Sequence, residues 1–161
     1  MTRLHHYKSQ LTWTGNSGSG TLNYKSYDRS FTIKIDNKPD LKGSSETSFR
    51  GDPTKYNPEE LLLSALSSCH MLWFLHLCAD ANIIVIEYTD EAKAIMSEKA
   101  DGSGQFTEVV LQPKVIVAED SMIETAEALH KKANKMCFIA NSVNFPVQHQ
   151  PLTIANTAIV S

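Results

Sequence analysis

The stretch from Asn57 to Asn82 constrains the fold of this 161-residue chain more than any other. It opens with Asn57-Pro58-Glu59-Glu60, which predicts a helix start. Asn57 can cap the free N–H groups, and Pro58 suits the first helical position. The residues that follow are apolar on nearly every side, which predicts a buried helix. Serines, histidines and a cysteine interrupt the run too often for a bilayer span of about 20 mostly apolar residues. We therefore expect a core helix and no membrane partner.

The middle of this predicted helix holds Cys69, followed directly by His70. A thiol in such a place either packs as a small apolar group or is the reactive centre. The other two cysteines are Cys78 and Cys137, and three cysteines do not make the disulfide framework of a secreted domain. The first ten residues are polar and unlike a signal peptide. A cytoplasmic location is expected, where cysteine pairs are more often catalytic or metal-binding than structural.

Composition favours an ordinary globular chain, and we expect residues 1–161 to form a single domain. The chain is 42% hydrophobic with a net charge of −3, which gives no electrostatic reason to bind nucleic acid. Alternating apolar and polar residues predict six strands, at 7–14, 21–26, 31–35, 83–96, 106–117 and 152–154. A long loop over residues 40–56 precedes the first helix, and a second helix is expected from Asp120 or Ser121.

This order of elements predicts an α+β fold with a largely antiparallel sheet, because helices and strands do not alternate singly. The strands expected at 83–96 and 106–117 are predicted to form a hairpin. A helix that is apolar on all sides also needs more cover than six strands and one other helix supply. We therefore expect a homodimer.

The pattern Asn57-Pro58-Glu59-Glu60-Leu61-Leu62, a cysteine ten positions after Glu59, and a distant second cysteine resembles the OsmC/Ohr family of thiol peroxidases. The resemblance covers most of the chain, in order. It implies an OsmC-like fold in which mostly antiparallel sheets wrap two long central helices of an intertwined homodimer. It also implies reduction of organic hydroperoxides, and of hydrogen peroxide less well, without a cofactor or metal.

The same resemblance implies a role for four residues. Cys69 would be the peroxidatic cysteine and Cys137 the resolving one, while Glu59 and an arginine would hold the thiolate. Arg29 is our first choice for that arginine, and Arg50 is the alternative. An external dithiol, such as a lipoyl-type thiol, would restore the two cysteines.

Two local departures favour the general OsmC branch over Ohr proper. Tyr27-Asp28-Arg29 is not the glycine-rich arginine loop of the Ohr branch, and Phe138 follows Cys137 where proline is common. His70 beside Cys69 is also unusual for the family.

Helix geometry adds a prediction about Glu59. Ten residues of continuous helix rise about 15 Å, so Glu59 cannot touch Cys69 of its own chain. We expect Glu59 of the partner subunit to reach the Cys69 site.

Other interpretations remain open at this point. Cys78 is most simply a core residue. A metal cluster of Cys69, His70, His76 and Cys78 is disfavoured, because structural zinc sites usually contain closely spaced ligand pairs. The alternative function is a non-catalytic dimeric OsmC-like protein that binds an apolar ligand or partner. Four apolar residues could line a substrate path or simply pack in the core: Leu66, Leu72, Trp73 and Phe145.

Overall fold

The computed structural model describes residues 2–156 and divides into two compact units, Met1–Leu61 and Leu62–Ser161. The expectation of a single domain stays a prediction. The two α-helices are α1 (Pro58–Asp80) and α2 (Ile123–Met136). The strands are β1 (Gln10–Trp13), β2 (Phe31–Lys34), β3 (Leu41–Gly43), β4 (Val85–Asp90), β5 (Lys93–Glu98), β6 (Gly104–Leu111), β7 (Pro113–Val117), β8 (Val147–His149) and β9 (Leu152–Ala155).

The first unit is built on an antiparallel sheet of strand order β1-β2-β3. The strand predicted at 21–26 is wrong, since residues 18–27 form turns and bends. Asn16 Oδ1 accepts the N–H groups of Gly18 and Gly20, and the Ser26 hydroxyl bonds the backbone around Asn23. Small polar side chains that bond nearby backbone in this way compete with strand pairing.

Helix α1 starts as its sequence predicts. The Glu60 N–H donates to Asn57 Oδ1 at 2.8 Å, and the Asn57 N–H donates to Glu60 Oε2 at 3.1 Å. This reciprocal pair is a capping box, which satisfies two N–H groups that the first turn leaves free.

Within residues 2–156 of one chain, only one side of α1 is covered. Its buried residues are Leu66, His70, Phe74, Leu77 and Cys78, whereas Leu72 on the opposite side is 63% exposed. By length and composition alone the helix could cross a membrane, a test that the core helix of a globular protein also passes. The full burial expected from the sequence is therefore not reached by one chain on its own.

The second unit contains two three-stranded sheets, ordered β4-β7-β9 and β5-β6-β8. In each sheet the first pair is antiparallel and the second is parallel. The predicted hairpin is confirmed as β5–β6. Strand β8 lies within a segment that the sequence predicts as loop.

The two long strands predicted at 83–96 and 106–117 are each divided in two. The chain passes from one sheet to the other after β4 and again after β6. Asp90 holds this crossing: its Oδ1 accepts the Gln112 N–H at 2.7 Å, and its Oδ2 accepts the Ser67 hydroxyl on α1 at 2.5 Å. The Asp90 side chain therefore ties both crossing points to the central helix.

The hydrophobic core of the second unit has two clusters. The larger contains Phe74, Leu77, Cys78, Val115, Val117, Ala126 and Ala133, and the smaller contains Leu66, Val109 and Leu111. The buried residues of α2 lie on one stripe of the helix, which is apolar at Ala126 and Ala133 and contains the equally buried His130. The α+β class and the predominance of antiparallel pairing agree with the sequence.

Candidate functional site

The structure brings Cys69 and Cys137 together. Cys69 lies in the middle of α1 and is half-buried, while Cys137 forms the C-terminal cap of α2 and is 1% exposed. The two side chains are close enough for Cys69 to help raise the pKa of Cys137, and both thiols are free. The sequence predicts this pair from the resemblance alone, since a separation of 68 residues carries no information about distance.

Cys137 is held as a thiol. Burial, and secondarily the hydrogen bond with Cys69, raise the pKa of Cys137 to about 11. The Ala140 N–H donates to Cys137 Sγ at 3.4 Å, and this hydrogen bond lowers the Cys137 pKa but does not outweigh burial. At neutral pH about one molecule in ten thousand would carry a Cys137 thiolate. Because the thiolate is the nucleophile of cysteine chemistry, Cys69 is the better placed of the two to attack a substrate.

Apolar and aromatic side chains lie on the Cys69 side of α1. A cavity of about 200 Å³ is lined by Leu72, Trp73 and His76. The Trp73 ring meets the Phe138 ring edge-on, with centroids 5.6 Å apart, and Phe138 is 64% exposed. Two of the predicted path residues lie elsewhere: Leu66 is in the smaller core cluster, and Phe145 packs beside it against Phe106.

Cys78 and His76 are occupied by other contacts. Cys78 is 1% exposed within the larger core cluster, and burial raises its pKa to about 11. His76 lies 3.5 Å from the Asp80 carboxylate one turn along the helix. Cys78 therefore has the environment of a core residue.

Arg29 and Arg50 both belong to the first unit, where they line one cavity of about 300 Å³. The Arg29 guanidinium donates to the carbonyl oxygens of Tyr27 and Tyr24 at 2.5 and 2.6 Å. It also lies 4.3 Å from the centroid of each tyrosine ring. Arg50 is exposed at a left-handed backbone position with φ of 65°, and within residues 2–156 its side chain has no hydrogen bond or ion pair. Arg29 is thus fixed by four contacts, whereas Arg50 is free to bind another group.

Glu59 lies in the first turn of α1, and the helix is continuous from Pro58 to Asp80. The condition for the partner-chain prediction is therefore met, because a continuous helix separates Glu59 from Cys69 by about 15 Å. Within residues 2–156 of one chain, Glu59 forms no ion pair with Arg29 or Arg50. The role of Glu59 stays a prediction about the dimer.

A buried histidine cluster near the cysteines was not predicted from the sequence. His70 and His130 are 0% and 1% exposed, and His70 Nε2 lies 3.0 Å from His130 Nδ1. His149 on β8 lies beside both rings, at centroid distances of 5.6 and 6.4 Å. The available signal was His130 in the apolar stripe of α2, since a buried imidazole needs a polar partner.

Both the sequence and the fold match known proteins of one family. A sequence model of the family described as OsmC-like protein matches residues 51–151. An OsmC-like protein of unknown function from Vibrio cholerae is 30% identical, covers 92% of this chain and all of its own, and superposes with a TM-score of 0.82.

Two more distant relatives cover the same length. An organic hydroperoxide resistance protein from Elizabethkingia anophelis is 21% identical, with a TM-score of 0.68 over 97% of this chain and all of its own. The uncharacterized protein YmaD of Bacillus subtilis is 22% identical over 91% of each chain. The match to the family model over more than half of the chain, together with the shared fold, shows that this protein belongs to the OsmC-like family.

Proposed function

We propose that this protein is a thiol-dependent peroxidase that reduces organic hydroperoxides, and hydrogen peroxide less well, in the cytoplasm. The contact between the half-buried Cys69 and the buried, protonated Cys137 carries the proposal. A protein that only binds ligands has no need of a second thiol beside the first.

The chemistry has two steps in the protein. The Cys69 thiolate attacks one oxygen of the peroxide, the O–O bond breaks, and the other oxygen takes a proton and leaves as an alcohol. Cys69 is thereby oxidised by two electrons to a sulfenic acid. Cys137 then attacks the Cys69 sulfur, an S–S bond forms, and the hydroxyl leaves as water. An external dithiol restores both thiols by exchange and becomes a disulfide itself.

The raised pKa of Cys137 fits the resolving role. A thiol that stays protonated does not compete with Cys69 for peroxide. It can give up its proton to the departing hydroxyl when the sulfenic acid condenses. Its burial also keeps it away from oxidants in solution.

A cationic side chain is needed to stabilise the Cys69 thiolate and orient the peroxide. We retain Arg29 for this role with Arg50 as the alternative, and Glu59 as the carboxylate that orients the arginine. Arg29 already forms four contacts within its own unit, whereas within residues 2–156 the Arg50 guanidinium forms no hydrogen bond or ion pair, so variants at both positions are needed to decide between them. In a homodimer these groups would come from the partner subunit, which would also cover the exposed side of α1.

The direct test is steady-state consumption of cumene hydroperoxide and of hydrogen peroxide with a dithiol reductant. Cys69→Ser should abolish turnover, while Cys137→Ser, given one equivalent of peroxide without the dithiol, should accumulate a Cys69 sulfenic acid in place of the disulfide. Cys78→Ala is the matched control and should keep wild-type turnover.

The same assay distinguishes the two arginines. Replacing the catalytic arginine by methionine should lower kcat/KM by about 100-fold, whereas replacing the other arginine should lower it by less than about threefold.

If wild type is no faster than Cys69→Ser with any dithiol, the peroxidase proposal fails. The exposed apolar surface at Leu72 and Phe138 would then indicate a binding protein.

A further inference from the structure

The buried hydrogen bond between His70 and His130 joins the two helices that carry the reactive cysteines. The His70 and His130 ring planes are within 7° of parallel and their centroids are 5.3 Å apart. With Nε2 and Nδ1 only 3.0 Å apart, the rings meet edge to edge. Phe74 stacks on the face of His130 at 3.9 Å. The bond is therefore well aligned and closed to solvent.

This pair is neutral in the folded protein. Burial lowers the pKa of His70 to about 4 and that of His130 to about 3. One of the two facing nitrogens must carry a proton and the other must accept it, which couples the tautomers of the two rings. Within residues 2–156 no three His, Cys, Asp or Glu side chains are arranged to hold a metal ion, so a shared proton describes the contact best.

Stability alone does not explain this choice of residues. Within residues 2–156, His70 Nδ1 and His130 Nε2 are both buried without a hydrogen-bond partner. Whichever tautomer is present, one N–H stays unsatisfied, and that costs free energy. Two apolar side chains of similar size would avoid this cost, because replacing both partners of a buried polar pair is often neutral or stabilising. What an apolar pair cannot supply is a directional contact.

His70 and His130 both lie near the reactive cysteines, where a directional contact can control how the two sulfur atoms meet. His70 directly follows Cys69 on α1. His130 precedes Cys137 by seven residues, which is two turns and returns to the same face of α2. A hydrogen bond fixes rotation and sliding between α1 and α2 beside the sulfur pair, whereas apolar packing permits both. A disulfide forms only if the two Cα atoms come within about 4.4–6.8 Å.

We infer that the His70–His130 hydrogen bond is a positioning contact that holds Cys69 and Cys137 in the geometry from which their disulfide forms. The inference rests on the proposed dithiol chemistry but not on peroxide as the oxidant. It assigns a role to two residues that touch neither substrate nor reductant.

The test is the equilibrium of the reduced protein with a cyclic six-membered disulfide and its dithiol. The Cys69 thiolate opens the cyclic disulfide to a mixed disulfide, and Cys137 then displaces the dithiol, which leaves with two electrons and two protons. The equilibrium constant measures how well the two thiols are placed, and it needs no peroxidase activity. Quenched mixtures analysed by mass spectrometry give the ratio of oxidised to reduced protein.

The variants separate positioning from simple loss of structure. His70→Leu and His130→Leu remove the hydrogen bond. His70→Gln and His130→Asn keep a polar group near the position of the nitrogen that each histidine uses. Thr107→Val is the matched control, since it removes a hydrogen bond of 3.1 Å to the Ile95 carbonyl within the β5–β6 hairpin of the same unit.

The leucine variants should lower the equilibrium constant at least tenfold, about 30 mV in the potential of a two-electron couple. Any accompanying loss of thermal stability should be too small to explain the fall in the equilibrium constant. The amide variants should stay within about threefold of wild type, as should Thr107→Val. Unchanged constants in the leucine variants would overturn the inference, as would equal losses in leucine and amide variants or a wild type that forms no Cys69–Cys137 disulfide.

The outcome is independent of the peroxidase assay. A wild type that forms the disulfide but consumes no peroxide would refute the proposed function and leave the positioning role standing. If wild type consumes peroxide but the leucine variants keep an unchanged redox equilibrium constant, the proposed function is supported and the positioning role is refuted.

Discussion

Mild acid should destabilise this protein through its two buried histidines. Burial lowers the pKa of His70 to about 4 and that of His130 to about 3, whereas histidine in an unfolded chain titrates near 6.5. Below pH 6.5 the unfolded chain therefore binds more protons than the folded one. The stability that depends on the neutral pair is complete above pH 6.5 and is lost as the pH falls toward 4.

The size of the effect follows from these pKa values. Each pH unit below 6.5 costs about 1.4 kcal/mol per histidine, so at pH 5 the pair together loses about 4 kcal/mol. That is a large part of the 5–15 kcal/mol that stabilises a typical domain. His149 and Glu127 face the pair as well: burial lowers the pKa of His149 and the Glu127 carboxylate opposes that shift. A comparison that keeps both residues is needed to isolate His70 and His130.

The measurement is urea unfolding followed by tryptophan fluorescence at pH 7.5, 6.5, 5.5 and 5.0. Protein concentration and ionic strength are held constant, because dimerisation would make the measured stability depend on concentration. Between pH 7.5 and 5.0, wild type should lose about 4 kcal/mol more than the His70→Gln/His130→Asn double variant. Parallel pH dependences in the two proteins would refute the claim that these histidines are held neutral by burial.

Three smaller predictions concern contacts elsewhere in the fold, each measured by urea unfolding at pH 7.5. Asn57→Ala should cost about 1 kcal/mol through loss of the helix cap, and Asn57→Ser should recover most of it; equal losses would exclude capping as the cause. Ser67→Ala should cost about 1–3 kcal/mol, because it removes a half-buried hydrogen bond to the Asp90 carboxylate, and no loss would mean that water replaces the hydroxyl. Cys78→Ala should cost about 1 kcal/mol for the lost packing and leave the Cys69–Cys137 redox equilibrium unchanged, whereas a shifted equilibrium would give Cys78 a redox role.

The parts of the fold that depend on neighbouring residues were predictable from the sequence. The start of α1 rests on Asn57 and Glu60, which lie three residues apart and bond each other directly. The division of the two long strands was not predictable, because it depends on Asp90 binding Ser67 and Gln112 from distant parts of the chain. The strand predicted at 21–26 failed for a local reason that small polar residues could have signalled.

The candidate site also combines residues that the sequence identifies with contacts that only the structure shows. The sequence marked Cys69 and Cys137, but only three-dimensional packing brings their sulfur atoms together. The sequence also identified His70 as unusual for the family. Its hydrogen-bond partner, His130, could be recognised only in the structure. A polar residue inside the apolar stripe of a second helix is the signal that would have suggested this pairing.

The position of Cys69 around the axis of α1 explains why a directional contact beside it matters. Successive helix residues are rotated by about 100°, so Cys69 lies at the edge between the buried side, with Leu66 and His70, and the open side, with Leu72. At this edge a sulfur atom can face incoming substrate and still touch the buried Cys137. Rotation of α1 one way would enclose Cys69, and rotation the other way would carry it off Cys137. The packing of Leu66 tolerates a small rotation in either direction, but the bond from His70 to His130 does not.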